Sequence, residues 1–402
     1  MSYENVLKYR EQVYRCNTCC RCPRGPWDPN QPDILPLPVK QCPIYEQHVS
    51  LASSSQGMIL MIRDLLEDKL EASDALVEHI YQCLLCEGCN AVCAGMDSIP
   101  LGSLECASIF RALRADFVDM GIAPPAGLKK FTDNIAEKHS RQGVVKKDRI
   151  AWTDDLGFEV KDGGEVVIFA GCTAAFADNS SVLALAKILQ KAGVDFGVLA
   201  DEWCCGCLQE DAGILDGFKL SAEHNVEAIK NAGAKTVVVT CADCYKALND
   251  YPAFVGELGF EVLHSSELIL RLVKEGKIAL DTVELGGVAT YNDPCFLARG
   301  NGKAVTSEPR EVLQAIPGTE WVEMEGFGKY TYCCGRPITA PASRETYEKT
   351  GLDRVGDALA VEAKTIVTGC ANCKTSLKSA VQKAGADIKV VDIAELVSEA
   401  LV

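Results

Sequence analysis

Histidine is scarce in this chain: five residues in 402, at positions 48, 79, 139, 224 and 264, and they form no cluster. His264 reads as a helix-start residue rather than a ligand. Positive charge is also short. Forty Lys and Arg face 56 Asp and Glu, for a net charge of −16. Such a surface repels nucleic-acid phosphates and anionic lipid, so neither is an expected partner. No apolar run approaches the ~18–20 residues of a membrane helix. The longest, Val166–Ala177, is about half that length. Met1–Arg10 is polar and lacks the apolar core of a signal peptide. These absences predict a cytoplasmic chain with no direct membrane insertion, reaching a membrane only through a partner. No Gly-x-Gly-x-x-Gly follows a strand, and Gly300-Asn-Gly-Lys303 lacks the upstream glycine of a phosphate loop.

Cysteine is what the chain has in excess. There are 21, and eighteen fall into four groups with metal-cluster spacing. Many cysteines in a long, intracellular-looking chain point to metal rather than to disulfides. Hydrophobic residues make up 48% of the chain, enough for ordinary buried cores.

Residues 1–123 read as a helical, cysteine-rich domain, and 124–164 as a linker. Ser53–Ser55 stand before a periodic apolar stretch and can cap a helix. From Glu165 strands alternate with helices, which predicts parallel α/β units. An internal repeat then sets the fold class. Lys235-Thr-Val-Val-Val-Thr-Cys-Ala-Asp-Cys matches Lys364-Thr-Ile-Val-Thr-Gly-Cys-Ala-Asn-Cys at an offset of 129 residues. Two homologous α/β domains, 165–280 and 287–402, are therefore expected. Each would place a cysteine pair just past the C-terminal end of a strand, where open α/β sheets carry their sites.

Cys83-x2-Cys86-x2-Cys89-x3-Cys93 has the spacing of a bacterial ferredoxin. Cys16-x2-Cys19-x2-Cys22 begins a second copy, whose fourth cysteine is displaced to Cys42 beyond a proline-rich loop, Pro23–Gln41. In two-cluster ferredoxins the fourth cysteine serves the other cluster. Cys16, Cys19, Cys22 and Cys93 are accordingly assigned to one cubane [4Fe-4S] cluster, and Cys42, Cys83, Cys86 and Cys89 to the other. Ala94 stands where ferredoxins carry proline, which removes no ligand.

The remaining groups are two five-cysteine modules. The first is Cys172, Cys204, Cys205, Gly206, Cys241 and Cys244; the second is Cys295, Cys333, Cys334, Gly335, Cys370 and Cys373. In both, 34 residues separate Cys-Cys-Gly from Cys-x-x-Cys. Adjacent cysteines serve one small tetrahedral ion poorly but can cap different irons of a larger cluster. Gly206 and Gly335 allow close approach and backbone conformations that a side chain forbids. Zinc in one module, or a thioredoxin-like pair in either Cys-x-x-Cys, remains an alternative on spacing alone.

On these residues the chain resembles the heterodisulfide reductase D-type family, in which a ferredoxin-like part is fused to a pair of Cys-Cys-Gly domains. Glycolate oxidase iron–sulfur subunits and electron-transfer subunits of anaerobic reductase complexes share that layout. The resemblance implies a non-cubane [4Fe-4S] cluster in each module, held by five cysteines, with a disulfide cleaved between the two. It makes all ten module cysteines catalytic ligands. It further implies a flavin- or iron–sulfur-containing electron donor in a multi-subunit complex. The alternatives are a non-catalytic relay in an acyl-CoA, aromatic-ring or quinone-linked complex, or a dehydrogenase partner of the glycolate oxidase type. The chain departs from the family at Asn292 and Phe296, where a histidine is frequent beside Cys295. That counts against histidine-based proton delivery there.

Arg299, Arg336, Lys246 and Lys374 lie within a few positions of module cysteines. They are candidates to offset cluster charge or, for Arg299 and Arg336 in particular, to hold an anionic substrate. Cys20, Cys106 and Cys207 are left over and read as bystanders, with Cys106 on an apolar helical face.

Overall fold

Short Val- and Ile-rich runs, each bounded by glycine or a charged turn, build two parallel sheets. The computed structural model describes residues 2–23, 39–94, 104–144, 148–300, 303–336 and 343–402. Most of the proline-rich loop predicted for 23–41, and part of Gly300–Lys303, lie outside the described residues.

The first sheet holds β1 (Lys161–Asp162), β2 (Val166–Phe169), β3 (Phe196–Val198), β4 (Thr236–Val239) and β5 (Glu261–His264), in the order β1-β3-β2-β4-β5. The second holds β6 (Ala289–Asn292), β7 (Trp321–Val322), β8 (Thr365–Thr368) and β9 (Lys389–Asp392), in the order β7-β6-β8-β9. All pairings within these sheets are parallel, with Val167 opposite Val237 and Ile366 opposite Val390. Without β1 the two orders are the same. In each unit the chain leaves a central strand (β2 or β6), crosses to one neighbour and returns to the other. The crevice at the C-terminal ends of β2 and β4, or of β6 and β8, is a topological switch point.

The two units pack about an approximate two-fold axis. Helix Ser180–Lys191 lies on Ile393–Glu399, and its repeat counterpart Ser307–Ala315 lies on Ser265–Lys274. Ala242–Asp250 meets Cys295–Arg299, while Ala371–Ala384 meets Gly171–Phe176. Core residues run across the join: Ile168, Leu185 and Val238 share one cluster with Tyr291, Val367 and Val391. Each such buried side chain contributes on the order of 1.5–3 kcal/mol, so the units are not separable at small cost.

The N-terminal part is helical. Ser54 caps helix Ser55–Leu66 by accepting from the Gly57 N–H at 3.3 Å. That helix and Cys106–Asp119 bury Ile59, Ile62, Ile109, Phe110, Leu113 and Phe117 against each other. Helix Ala126–Lys138 follows, inside the predicted linker, and its Leu128 and Ile135 join the same core as Cys172, Cys204 and Leu208 of the first α/β unit.

Candidate functional site

The structure gathers the N-terminal cysteines into two sets. Cys16, Cys19, Cys22 and Cys93 line one small cavity with Gln56 and Leu104. Cys42, Cys83, Cys86 and Cys89 line another with Met58 and Phe110. In each cavity three cysteines come from one short run and the fourth from the other run. Tight loops make this convergence feasible. Thr18, Cys20, Leu85 and Glu87 all have positive φ, folding each run around its own thiols. The Leu104 N–H donates to Cys93 Sγ at 3.3 Å. Cys106 is buried in the core and stands between the two sets, lining the first cavity and hydrogen-bonding Cys89.

Cys172 lies in the first turn of helix Gly171–Phe176 after β2, and Cys241 caps helix Ala242–Asp250 two residues past β4, which puts both at the switch point. Cys172, Cys204, Cys205, Cys241 and Cys244 line one cavity. Gly206 takes φ 75°, and a Cβ there would stand 2.9 Å from Phe218. Gly335 takes φ 95°, with Tyr347 O 2.6 Å from where a Cβ would be. Both turns thus need the glycines that the motif supplies. A third glycine carries no such motif. Gly171 has φ 71°, and a Cβ on it would lie 2.6 Å from Cys244 Sγ. Tyr251 Oη donates to the Cys205 carbonyl at 3.0 Å and pins the first Cys-Cys-Gly turn; Ser376 Oγ donates to the Cys334 carbonyl in the second.

In the second module Cys334 Sγ stands 3.2 Å from Cys373 Sγ, and Cys333 hydrogen-bonds Cys295. The modules touch where Cys241 Sγ meets Cys370 Sγ at 3.9 Å. Cys333 also hydrogen-bonds Cys86 of the N-terminal part. The sulfurs thus form one succession, from the Cys16 set past Cys106 to the Cys42 set, then to the second module, then to the first.

Charge is arranged to suit thiolates. Arg149 Nη2 is 3.7 Å from Cys172 Sγ and donates to the His139 carbonyl, while Nη1 pairs with Glu202 at 2.8 Å. Glu202 in turn accepts from the Ala170 and Gly171 N–H groups, fixing the Cys172 loop. Burial pushes the Glu202 carboxyl up to about 7, with Arg149 opposing it. Hydrogen bonds from Cys204 and Cys244 draw the Cys205 thiol down to about 6. Cys86 is drawn down to about 6 as well, first by Cys333 and then, against burial, by Arg299.

The four cations singled out in the sequence are engaged by the protein itself. Arg299 donates to the carbonyls of Cys86, Lys329 and Thr331, tying the second module to the N-terminal part. Arg336 is buried between Asp211 and Asp243, with its guanidinium over the Phe296 ring and Nη2 3.2 Å from Cys207 Sγ. Both guanidiniums are engaged by acceptors of the protein, which compete with the anion-holding role expected of them. Lys246 pairs with Glu210 and Asp250, and Lys374 with Asp178 and Glu395. Cys207 is not remote from the chemistry either, since it lines the first module's cavity. Sequence reasoning missed Arg141, Arg149 and Glu202. Nothing in their spacing marks them, although Glu202 stands two residues before Cys204.

Among the described residues no three His, Cys, Asp or Glu side chains converge on the scale of a single metal ion. The sulfurs of the two N-terminal sets and of the first module instead line cavities, the arrangement a multi-iron cluster requires. The donor set is all thiol, as iron–sulfur clusters use. The residues present therefore fit such clusters.

The family model described as Cysteine-rich domain matches residues 166–249 and 289–378. The D-type component of dihydromethanophenazine:CoB–CoM heterodisulfide reductase from Methanosarcina barkeri is 31% identical over 96% of this chain and 93% of its own length. The EtfAB:quinone oxidoreductase of Syntrophomonas wolfei is 29% identical over 93% of this chain, which spans 53% of that relative. A solved structure of a hypothetical protein from Helicobacter pylori aligns with TM-score 0.52 at 11% identity, over 100% of this chain and 76% of its own, a likeness of fold alone. Two copies of the cysteine-rich domain and near-full-length similarity lead to one conclusion: the chain belongs to the heterodisulfide reductase D-type family and is an iron–sulfur oxidoreductase subunit.

Proposed function

We propose that this chain is the disulfide-reducing component of a multi-subunit reductase. In this reading Cys16, Cys19, Cys22 and Cys93 hold one cubane cluster, and Cys42, Cys83, Cys86 and Cys89 the other. Cys172, Cys204, Cys205, Cys241 and Cys244 hold one non-cubane cluster; Cys295, Cys333, Cys334, Cys370 and Cys373 hold its twin. When bound, such clusters carry single electrons, and those of the modules offer iron to sulfur.

The observation that carries the reading is the 3.9 Å approach of Cys241 and Cys370 on the two-fold axis. Cleaving R–S–S–R′ takes two electrons and two protons and leaves R–SH and R′–SH. Two like modules facing each other across an axis suit two like product thiols. Buried Arg149 and Arg336 set positive charge beside the thiolates. Asn372 Nδ2, 3.8 Å from Cys241 Sγ, adds a neutral donor.

The electrons come from a partner protein bearing flavin or iron–sulfur groups. In this reading the electrons enter at the Cys16 set, whose Cys19 is exposed. No helix among the described residues is long and apolar enough to cross a membrane; in this reading any membrane link is made through a partner.

An anaerobic assay with reduced dye and a panel of small disulfides, CoM–CoB heterodisulfide included, tests this. Cys334→Ala should abolish turnover while the cubane spectra persist. A second reading, a relay without chemistry of its own, is favoured by the similarity to an EtfAB:quinone oxidoreductase. Fully loaded protein that reduces no disulfide, yet passes electrons to a co-purifying partner, establishes the relay.

A further inference from the structure

The arginines buried near the cysteines are matched to acceptors of the protein. Arg336 meets Asp211 and Asp243, Arg149 meets Glu202, and Arg111 meets Asp211 and Glu87. Arg141 differs. It comes from the segment before the first sheet, so neither repeat unit dictates its place. Its backbone N–H donates to Cys172 Sγ. Its half-buried guanidinium reaches Thr173 Oγ1 at 3.0 Å and Asn372 Oδ1 at 3.5 Å. Those are neutral acceptors, and among the described residues no carboxylate pairs with it. It lines the same cavity as Cys172, Cys205 and Cys241.

The two acceptors matter as much as the cation. Thr173 follows a cysteine of the first module, and Asn372 lies between Cys370 and Cys373 of the second. Arg141 therefore spans the two modules where they meet. A planar guanidinium offers a fork of N–H donors to carboxylate, sulfonate or phosphate, and charged acceptors outcompete neutral ones for it.

We propose that Arg141 determines substrate specificity by holding an anionic group on one half of the disulfide where the two modules meet, beside the cavity that the first module's cysteines enclose. The inference rests on the disulfide reading above and names the chemistry its substrate carries. Arg141 is then a binding residue, so its loss weakens capture of the charged substrate and leaves the electron supply alone.

The test uses the cluster-loaded protein and a matched pair of substrates, dithiodiglycolate with two carboxylates and hydroxyethyl disulfide with none. Arg141→Gln should raise KM for dithiodiglycolate by about tenfold to a hundredfold, the range for losing a charged hydrogen bond. Its KM for hydroxyethyl disulfide and both kcat values should stay within about twofold, a margin well below one such bond. Arg141→Lys should restore part of the loss. Titration calorimetry without turnover should show the same split between mercaptoacetate and mercaptoethanol. Equal losses on charged and uncharged substrates, with altered cluster spectra, would overturn the assignment and make Arg141 a charge-balancing residue. Turnover of both disulfides with unchanged KM values in the variants sinks Arg141 and spares the reductase reading. Absent turnover with Arg141-dependent mercaptoacetate binding does the reverse. Neither turnover nor binding overturns both.

Discussion

Asp243 and Asn372 occupy the same position of the repeat, 129 residues apart, and hydrogen-bond to each other through their side chains. Cys241 and Cys370 are also 129 apart and meet at 3.9 Å; Cys207 and Arg336 are 129 apart and meet at 3.2 Å. Only residues on a two-fold axis can touch their own counterparts. Two of the three pairs have diverged in chemistry, acid with amide and thiol with guanidinium. The axis is thus asymmetric where it matters: one carboxylate faces one guanidinium, Arg336 Nε to Asp243 Oδ1 at 3.2 Å.

Restoring chemical symmetry there should be destabilising. Asn372→Asp sets a second carboxylate against Asp243, whose own ionisation is already suppressed to about 6, chiefly by burial. An uncompensated buried charge costs roughly 3–5 kcal/mol. The denaturation midpoint of the variant should fall accordingly, and adding Asp243→Asn should recover part of the loss. A variant as stable as the parent would show that the pair is solvated.

Gly171→Ala should empty the first module without touching the cubanes. The residue has φ 71°, and its Cβ would lie 2.6 Å from Cys244 Sγ. Both the backbone and the thiol would have to move. Iron analysis is expected to lose about one cluster of four irons, with the cubane signals unchanged. Full iron content in the variant would count against a cluster bounded by Cys172 and Cys244.

The fourth ligands should behave as crossed. Native protein prepared without oxygen is expected to hold about sixteen irons, four per cluster. Cys42→Ser should perturb the signal of the Cys83, Cys86 and Cys89 site, and Cys93→Ser that of the Cys16, Cys19 and Cys22 site. Electron paramagnetic resonance separates the two. The opposite pairing of variants and signals refutes the crossing, and about eight irons with bound zinc refutes clusters in the modules.

His264 should make the fold acid-sensitive. Its Nε2 donates to the Gly369 carbonyl at 2.8 Å, leaving Nδ1 to accept from the Ser266 N–H and cap helix Ser265–Lys274. Burial lowers its pKa from 6.5 to about 4, with the Gly369 bond opposing. The unfolded chain takes up a proton near pH 6.5 that the folded chain refuses until about pH 4. Stability is therefore lost as pH falls through that window, by about 1 kcal/mol at pH 5.5. His264→Asn keeps a capping side chain and does not titrate, so its urea midpoint should change less between pH 7 and pH 5.5. Parallel pH profiles for the two proteins would exclude the histidine as the cause.

The sequence showed the strands entering Cys241 and Cys370 because a buried parallel strand is a run of β-branched residues and the repeat printed it twice. It showed the cysteine groups because cluster loops are short and local. It did not show the two-fold axis, since an offset of 129 says that two segments are alike and not that they touch. Cys207 and Arg336 were therefore read separately, one as a bystander and one as an anion contact, although each is the other's neighbour. Arg141 was invisible for a related reason. It belongs to no motif, and only the packing of helix Ala126–Lys138 onto the first α/β unit brings its loop to the cysteines.

The interleaving of the two N-terminal cavities bears on how the protein is made. A site completed by Cys93 cannot close while only its first three cysteines have left the ribosome, and the site completed by Cys42 must wait for Cys83, Cys86 and Cys89. Both become complete within four residues of each other, Cys89 and Cys93. If these two sets hold the proposed clusters, neither can be loaded before residue 89 has been made, and a chain truncated before that point has no finished site.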